Sequence, residues 1–293
     1  MIMAKILVTG ATGLLGSTLV PWLKRCGHTV LSHGHRAIAD YRADLREYPQ
    51  TAAMLDQAVP DCIINLAALT DVDLCEKQPH EAYRMNVASV DNLCRWIRSD
   101  RPRCYLIQIS TDQLYDGGGP HSESAITVCN TYAFSKIASE LIAAGTQSTV
   151  LRTNFFGRSR CADRKSFSDW IVESIRQHRP LSLFEDICFS PLSLATLSDM
   201  IERVVQRKPH GVFNVGAADG LSKADFAYAF AKVLDLPTKQ MQRVKSDSAT
   251  RLLAYRPKDM RMDSSLFERT IGLRLPRVVD EIVSAAGEYL EPD

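Results

Sequence analysis

The sequence predicts an α/β protein, a doubly wound parallel sheet followed by a smaller C-terminal α/β domain. Three observations point there. Short β-rich apolar runs alternate with longer helical patterns, which implies a parallel sheet covered on both faces. The first strand passes directly through a glycine-rich turn into a helix. The chain has 293 residues, 45% hydrophobic and 24% charged. That is enough for one large domain or two coupled ones, with a core that needs neither disulfides nor a structural metal.

The candidate strands are Lys5–Thr9, Thr29–Ser32, Asp61–Leu66, Cys104–Ile109, Thr149–Arg152 and Val212–Val215. The candidate helices are Leu14–Cys26, Thr51–Ala58, His80–Arg98, Tyr132–Ala144, Phe167–Arg176, Leu194–Val205 and Lys223–Val233. Beyond residue 153 the pattern becomes more helical and less regular. With no internal repeat, low-complexity tract or Gly/Ser linker, the later part is expected to fold against the first half.

Lys and Arg number 35 against 34 Asp and Glu, a net charge of +1. This balance speaks against a nucleic-acid footprint or a polybasic membrane anchor. No apolar run reaches the ~18 residues of a membrane span, and MIMAKILVTG lacks the order of a signal peptide. The eight cysteines (Cys26, Cys62, Cys75, Cys94, Cys104, Cys129, Cys161, Cys188) form no CxxC pair. They fit small buried hydrophobes in a reducing, cytoplasmic setting. No metal is expected, since His33-x-His35 lacks a third ligand.

Gly10, Gly13 and Gly16 sit between the first strand and the first helix. Such a turn aims free backbone N–H groups and the positive end of a helix dipole at an anion, and its glycines admit a pyrophosphate closely. The spacing is GxxGxxG, and the frame points to a dinucleotide site; a tight turn without a ligand is the alternative. The second strand runs into His33, Gly34, His35 and Arg36, a basic loop. Arg36 can pair with a 2′-phosphate where an acidic residue would repel one, which favours NADPH over NADH.

Tyr132 and Lys136 stand in NTYAFSKIASELI. Phe134, Ile137, Ala138, Leu141 and Ile142 form an apolar stripe along this helix. Tyr132 and Lys136 lie about 40° apart on roughly the opposite face, so they are not core filler. An ammonium beside a phenol stabilises the phenolate and makes the Tyr a proton donor to a developing alkoxide; by itself the spacing is common, and an exposed Tyr with a solvated Lys is the alternative. Upstream, the strand Cys104–Ile109 ends in Ser110-Thr111-Asp112. Residues just past a strand's carboxyl end line the ligand crevice of such a sheet, where Thr111 can donate to a carbonyl.

Together these elements resemble the extended branch of the short-chain dehydrogenase/reductase superfamily, whose nucleotide domain is a Rossmann fold. The matching segments are TGATGLLG at Thr9–Gly16, Asp44-Leu45, NLAA at Asn65–Ala68, Asn86 in RMNVAS, STDQLYDG at Ser110–Gly117, YAFSK at Tyr132–Lys136, LRTNFFG at Leu151–Gly157 and Arg256-Pro257. Within that branch the chain is most similar to the dTDP-4-dehydrorhamnose reductase family, whose AAxTxVDxxE segment appears as Ala67 to Glu76. The resemblance implies that residues 1–157 plus about 190–217 form the NAD(P)-binding domain. It implies a substrate-binding domain from about 158–189 and 218–293. Gly10, Gly13 and Gly16 would cradle the pyrophosphate, with Thr12, Leu14, Leu15, His35 and Arg36 completing the cofactor contacts. Asp44 and Leu45 would flank the adenine, and Ala67 and Ala68 would line the cleft. Tyr132 would protonate the sugar C4 oxygen, Lys136 would bind the nicotinamide ribose and tune Tyr132, and Thr111 would orient the carbonyl. Thr70, Val72, Asp112, Gln113, Asn154, Phe155 and Arg256 would meet the nucleotide-sugar substrate. Arg256 or Arg251 suits the substrate diphosphate by forked, charge-assisted bonding, with a surface arginine as the alternative. A homodimer is left open as the assembly.

Within the branch, dehydratases carry an Asp-Glu pair after the Thr, the Glu removing a proton. Here the pair is Asp112-Gln113, and an amide cannot serve as a carboxylate base. The expected reaction is therefore reduction of a 4-keto-6-deoxy nucleotide sugar in deoxysugar or cell-surface polysaccharide biosynthesis. Two alternatives stay open. One is a nucleotide-sugar epimerase. The other is a non-catalytic NADP-binding subunit resembling the regulatory subunit of methionine adenosyltransferase.

Overall fold

The computed structural model describes residues 3–35, 39–100, 103–161, 164–248 and 252–290. The chain divides into two compact units. The first comprises residues 1–111, 130–152 and 198–213. It holds strands β1 (Lys5–Thr9), β2 (Thr29–Gly34), β3 (Tyr41–Arg42), β4 (Cys62–Asn65), β5 (Tyr105–Thr111) and β6 (Ser148–Thr153). With β11 (Gly211–Val215) these form a seven-stranded sheet in the order β11-β6-β5-β4-β1-β2-β3. The pairings from β5 through β4, β1 and β2 to β3 are all parallel. This is the doubly wound, Rossmann-like α/β sheet that the alternating pattern predicts.

The central strands read as continuous apolar runs because both sheet faces are covered: Ile6, Leu7, Val8, Ile63 and Ile64 are fully buried. The covering helices include α1 (Gly16–Arg25), α2 (Tyr48–Ala58), α3 (Val72–Lys77), α4 (Pro79–Tyr83), α5 (Ser89–Asp100) and α6 (Thr131–Ala143). Trp96, Leu93 and Ile97 of α5 pack with Leu55 of α2 and Leu106 of β5 in one cluster.

Several boundaries differ from expectation. The second strand continues two residues beyond Ser32, so His33 is a buried strand residue and not part of a basic loop. Its Nε2 meets the Ala43 carbonyl at 3.0 Å, and burial holds its pKa below the usual histidine value. The fifth strand likewise continues to Thr111, which ends the strand instead of following it. The single helix expected over 80–98 is interrupted by a π-helical turn at Arg84–Ala88. Asn86 in that turn is fully buried and bonds across to Leu69 and Ser135.

The second unit comprises residues 112–129, 153–197 and 214–293. Its short strands pair in twos: β7 (Phe155–Phe156) with β10 (Leu192–Ser193), β8 (Leu181–Phe184) with β13 (Met241–Val244), and β9 (Cys188–Phe189) with β12 (Leu221–Ser222). Around them lie α7 (Phe167–Arg176), α9 (Lys223–Val233), α10 (Ser265–Ile271) and α11 (Val278–Ala286), and α8 (Leu194–Arg207) crosses the boundary between the units. The core is aromatic, with Phe156 edge-on to Phe226 at 4.7 Å and Phe230 edge-on to Tyr289 at 5.3 Å. Two-residue strands carry too little periodicity to be read from sequence, which is why this half looks irregular there. All eight cysteines are free thiols. Among the described residues, no helix is long and apolar enough to cross a membrane.

Candidate active site

The first unit gathers most of the expected site residues at the carboxyl ends of β1, β4 and β5. After Thr9 the chain turns at Gly10 with φ +65°, a left-handed conformation that glycine adopts without strain. A Cβ there would stand 3.0 Å from the Ala67 nitrogen. The glycine turn thus lies directly against the Ala67-Ala68 segment that follows β4. A Cβ on Gly16 would come within 2.6 Å of the Ala11 backbone, so only glycine lets α1 start this close to the strand. The helix begins at Gly16, with Thr12 and Leu14 half-buried before it and Leu15 buried. The turn fits a pyrophosphate: it is free of side-chain bulk at its glycines, and it sits at the positive end of a ten-residue helix.

Farther along the same edge, His35 is exposed just after β2, and Arg36 lies outside the described residues. Asp44 is clasped by Arg46, whose Nη2 donates to it at 2.6 Å, and this bond pulls its carboxyl down to about 2. Leu45 is buried in the core beneath, and its carbonyl accepts from Asn92 at 2.8 Å.

Thr111, Tyr132 and Lys136 are all buried, at 5%, 7% and 4% exposure. Helix α6 turns a different face to the sheet than its apolar stripe suggests. Phe134 and Leu141 are 63% and 72% exposed, while Ala133, Ser135, Lys136, Ser139 and Glu140 face inward. Small residues let the helix approach closely, and the polar ones find partners: Ser135 Oγ donates to the Tyr132 carbonyl and Ser139 Oγ to the Lys136 carbonyl, each at 2.7 Å. Lys136 Nζ donates to the Ile109 carbonyl at 2.7 Å. Burial pushes its pKa down to about 8, opposed by the Glu140 carboxylate. The start of α6 is fixed twice. Asn130 accepts from Ala133 N–H at 2.8 Å, and Glu76 of α3 accepts from Thr131 N–H at 3.0 Å. Thr70 is exposed before α3, and Val72 opens that helix half-buried.

The remaining expected substrate residues belong to the second unit. Asp112 and Gln113 form a 3-10 turn, and Asn154 donates to Asp112 at 2.6 Å. Phe155 lies in β7, half-buried. Gln113 and Arg256 line a cavity of about 270 Å³ together with Phe167, Trp170, Phe184 and Lys223. Arg251 lies outside the described residues. Lys223 was not expected there. Its ammonium lies 3.3 Å from the Phe189 ring centre and 4.7 Å from that of Phe167. Burial lowers its pKa to about 8, with Asp112 pulling the other way. One sequence signal marks it: a lysine in the first turn of a helix opposes the helix dipole.

The family described as RmlD substrate binding domain matches residues 4–290. The chain belongs to this family. Among curated proteins it is 26% identical to a probable low-salt glycan biosynthesis reductase of Haloferax volcanii, over 96% of this chain and 97% of that one. It is 25% identical to methionine adenosyltransferase 2 subunit beta of Mus musculus, over 92% and 84%. A crystal structure of dTDP-4-dehydrorhamnose reductase from Bacillus anthracis in complex with NADP superposes with a TM-score of 0.88. It is 22% identical, and the match covers 98% of this chain and all of that one. That likeness identifies the fold.

Proposed function

We propose that this RmlD-family protein is an NAD(P)H-dependent oxidoreductase that reduces a 4-keto-6-deoxy nucleotide sugar in the assembly of deoxysugars or surface polysaccharides. The observation that carries the proposal is the buried Tyr132–Lys136 pair beside the end of β5, in the same unit as a glycine turn free of side-chain bulk. A buried phenol and, one helical turn on, a buried lysine with a lowered pKa are what proton transfer to an alkoxide needs. The names of the relatives, a glycan biosynthesis reductase and a dTDP-4-dehydrorhamnose reductase bound to NADP, support the same class.

In this reading Gly10, Gly13 and Gly16 hold the cofactor pyrophosphate at the N-terminus of α1. The chemistry that a reduced nicotinamide supplies when bound is hydride transfer to the sugar C4. Thr111 donates to the C4 carbonyl oxygen and fixes its direction. Tyr132 Oη gives its proton to that oxygen as negative charge develops there. Lys136 holds the resulting phenolate and the nicotinamide ribose. Gln113 is an amide and offers no carboxylate base beside Asp112, which accepts from Asn154. The second-unit cavity, with its aromatic wall and the cations Lys223 and Arg256, has the chemistry to take a base and a diphosphate. Free thiols throughout suit a cytoplasmic enzyme, and the outward Phe134 and Leu141 of α6 support a homodimer.

The test is a panel of nucleotide-linked 4-keto-6-deoxy sugars assayed with NADPH and NADH. Cofactor oxidation that depends on one of these sugars is the expected result. The similarity to a methionine adenosyltransferase subunit supports the second reading, a binding module. No turnover on any keto sugar, together with recovery of one stoichiometric protein partner, would establish that reading instead.

A further inference from the structure

On α6, Tyr132, Lys136 and Glu140 follow one another at intervals of four residues and so lie on one helix face. On β5, Ile109, Ser110 and Thr111 are consecutive. The two rows are bonded together. Lys136 Nζ donates to the Ile109 carbonyl at 2.7 Å, and Ser110 Oγ donates to Glu140 Oε1. Glu140 is also gripped by Arg152 of β6, whose Nε donates to Oε1 at 3.0 Å and whose Nη2 donates to Oε2 at 2.6 Å. Glu140 and Arg152 are each 2% exposed. A buried ion pair of this kind contributes little net stability compared with apolar residues of the same shape, so its presence asks for another reason.

We propose that Glu140, held by Arg152 and Ser110, is a positioning residue for the Tyr132–Lys136 pair: it sets where α6 lies along β5 and supplies the negative charge that keeps the Lys136 ammonium in place. The inference rests on the reductase reading for its catalytic meaning and on the geometry alone for its structural part. The bidentate fork locks the carboxylate in one orientation. Ser110 ties that carboxylate to the residue next to Thr111, so any slip of α6 moves Tyr132 relative to Thr111. Glu140 is also the one charge on the inner face of α6 that opposes the effect of burial on Lys136. The groups around Lys136 are Tyr132 and Glu140 on its own helix, Arg152 of β6 behind Glu140, Cys75 of α3 packed with Tyr132, and Glu76 of α3 on the Thr131 N–H. Residues 109–111 of β5 present a carbonyl and two hydroxyls, none of which titrates. Asp91, Arg95 and Arg98 of α5 are exposed. Glu81 and Arg84, nearer the π turn, pair with each other and with Arg46 and Glu47.

The test reads Lys136 directly, by the pH titration of its side-chain resonance in protein labelled with [13Cε]lysine and assigned with Lys136→Arg. In the wild type the midpoint is expected near 8. Glu140→Gln removes the attracting charge and leaves Arg152 repelling, so the midpoint falls by about one pH unit or more. Because that variant leaves a buried guanidinium uncompensated, Glu140→Leu/Arg152→Met is made beside it; apolar replacement of the whole pair preserves folding. In this double variant the midpoint also falls, by less, and Glu140→Asp, which keeps the charge, holds it near the wild-type value. With an active substrate, the alkaline limb of kcat moves down in pH by the same amounts while KM changes little. A folded double variant with an unmoved Lys136 midpoint overturns the inference. Shifted midpoints in a protein that reduces no keto sugar leave this pairing standing and remove the reductase reading alone.

Discussion

Lys136 and Tyr132 are polar side chains placed where water is scarce, and each is held by the protein: Lys136 by the Ile109 carbonyl, Tyr132 by packing with Cys75 and Ala82. Removing the phenol oxygen removes the proton that the proposed reaction needs. Tyr132→Phe should lower turnover by about 10²–10⁴-fold while NADPH still binds, as fluorescence titration of the cofactor will show; unchanged turnover would rule out the proton-donor role. From the sequence, cofactor choice is proposed to rest on Arg36. Arg36→Ala should raise the Kd for NADPH by about tenfold, the loss of one charge-assisted contact of roughly 1.4 kcal/mol, and barely alter that for NADH. Equal weakening of both cofactors would show that Arg36 does not read the 2′-phosphate. Tyr132, Lys136 and Thr111 could be picked out from sequence because a helical spacing and a place at a strand's end are local. Lys223 carries only a faint signal, its place in the first turn of a helix, because its meaning comes from Phe167 and Phe189, which are distant in the chain and become its neighbours only on folding.

Helix α6 shows how an amphipathic pattern can mislead. Two members of its apolar stripe, Phe134 and Leu141, point outward, Ile137, Ala138 and Ile142 are half-buried, and its polar row packs inward. The inversion is possible because every inward polar group on that row has a partner: Ser135 and Ser139 bond the preceding turn, and Glu140 bonds β5 and β6. The π turn at Arg84–Ala88 has a related origin, since Asn86 gives up regular helix to bond Leu69 and Ser135. The packing of α1 is simpler and rests on one missing methyl. Gly16→Ala places a Cβ 2.6 Å from the Ala11 backbone, and backbone cannot step aside as a flexible side chain can. Urea unfolding should show a loss of about 1–3 kcal/mol, and cofactor binding should weaken as the turn is pushed away from β4. A Gly16→Ala protein as stable as the wild type would mean that α1 shifts without cost.

The two units carry separable parts of the proposed work, the glycine turn and the Tyr–Lys pair in one and the aromatic cavity in the other. Lys223→Met keeps the length and packing of the side chain but removes its charge. It should raise KM for a nucleotide-sugar substrate by about tenfold, the loss of one charge-assisted contact, and leave the Kd for NADPH unchanged. If both constants move together, Lys223 supports the fold instead of meeting substrate. The alternation of strands and helices, the glycine turn and the Tyr-x-x-x-Lys spacing were legible in the chain because each is encoded by neighbours in sequence, through backbone sterics and helical period. The burial of α6's polar face, the Glu140–Arg152 clasp, the strand places of His33 and Thr111 and the cavity around Lys223 were settled by folding. Each depends on groups far apart in sequence that meet away from water, where a hydrogen bond or an opposite charge outweighs local preference.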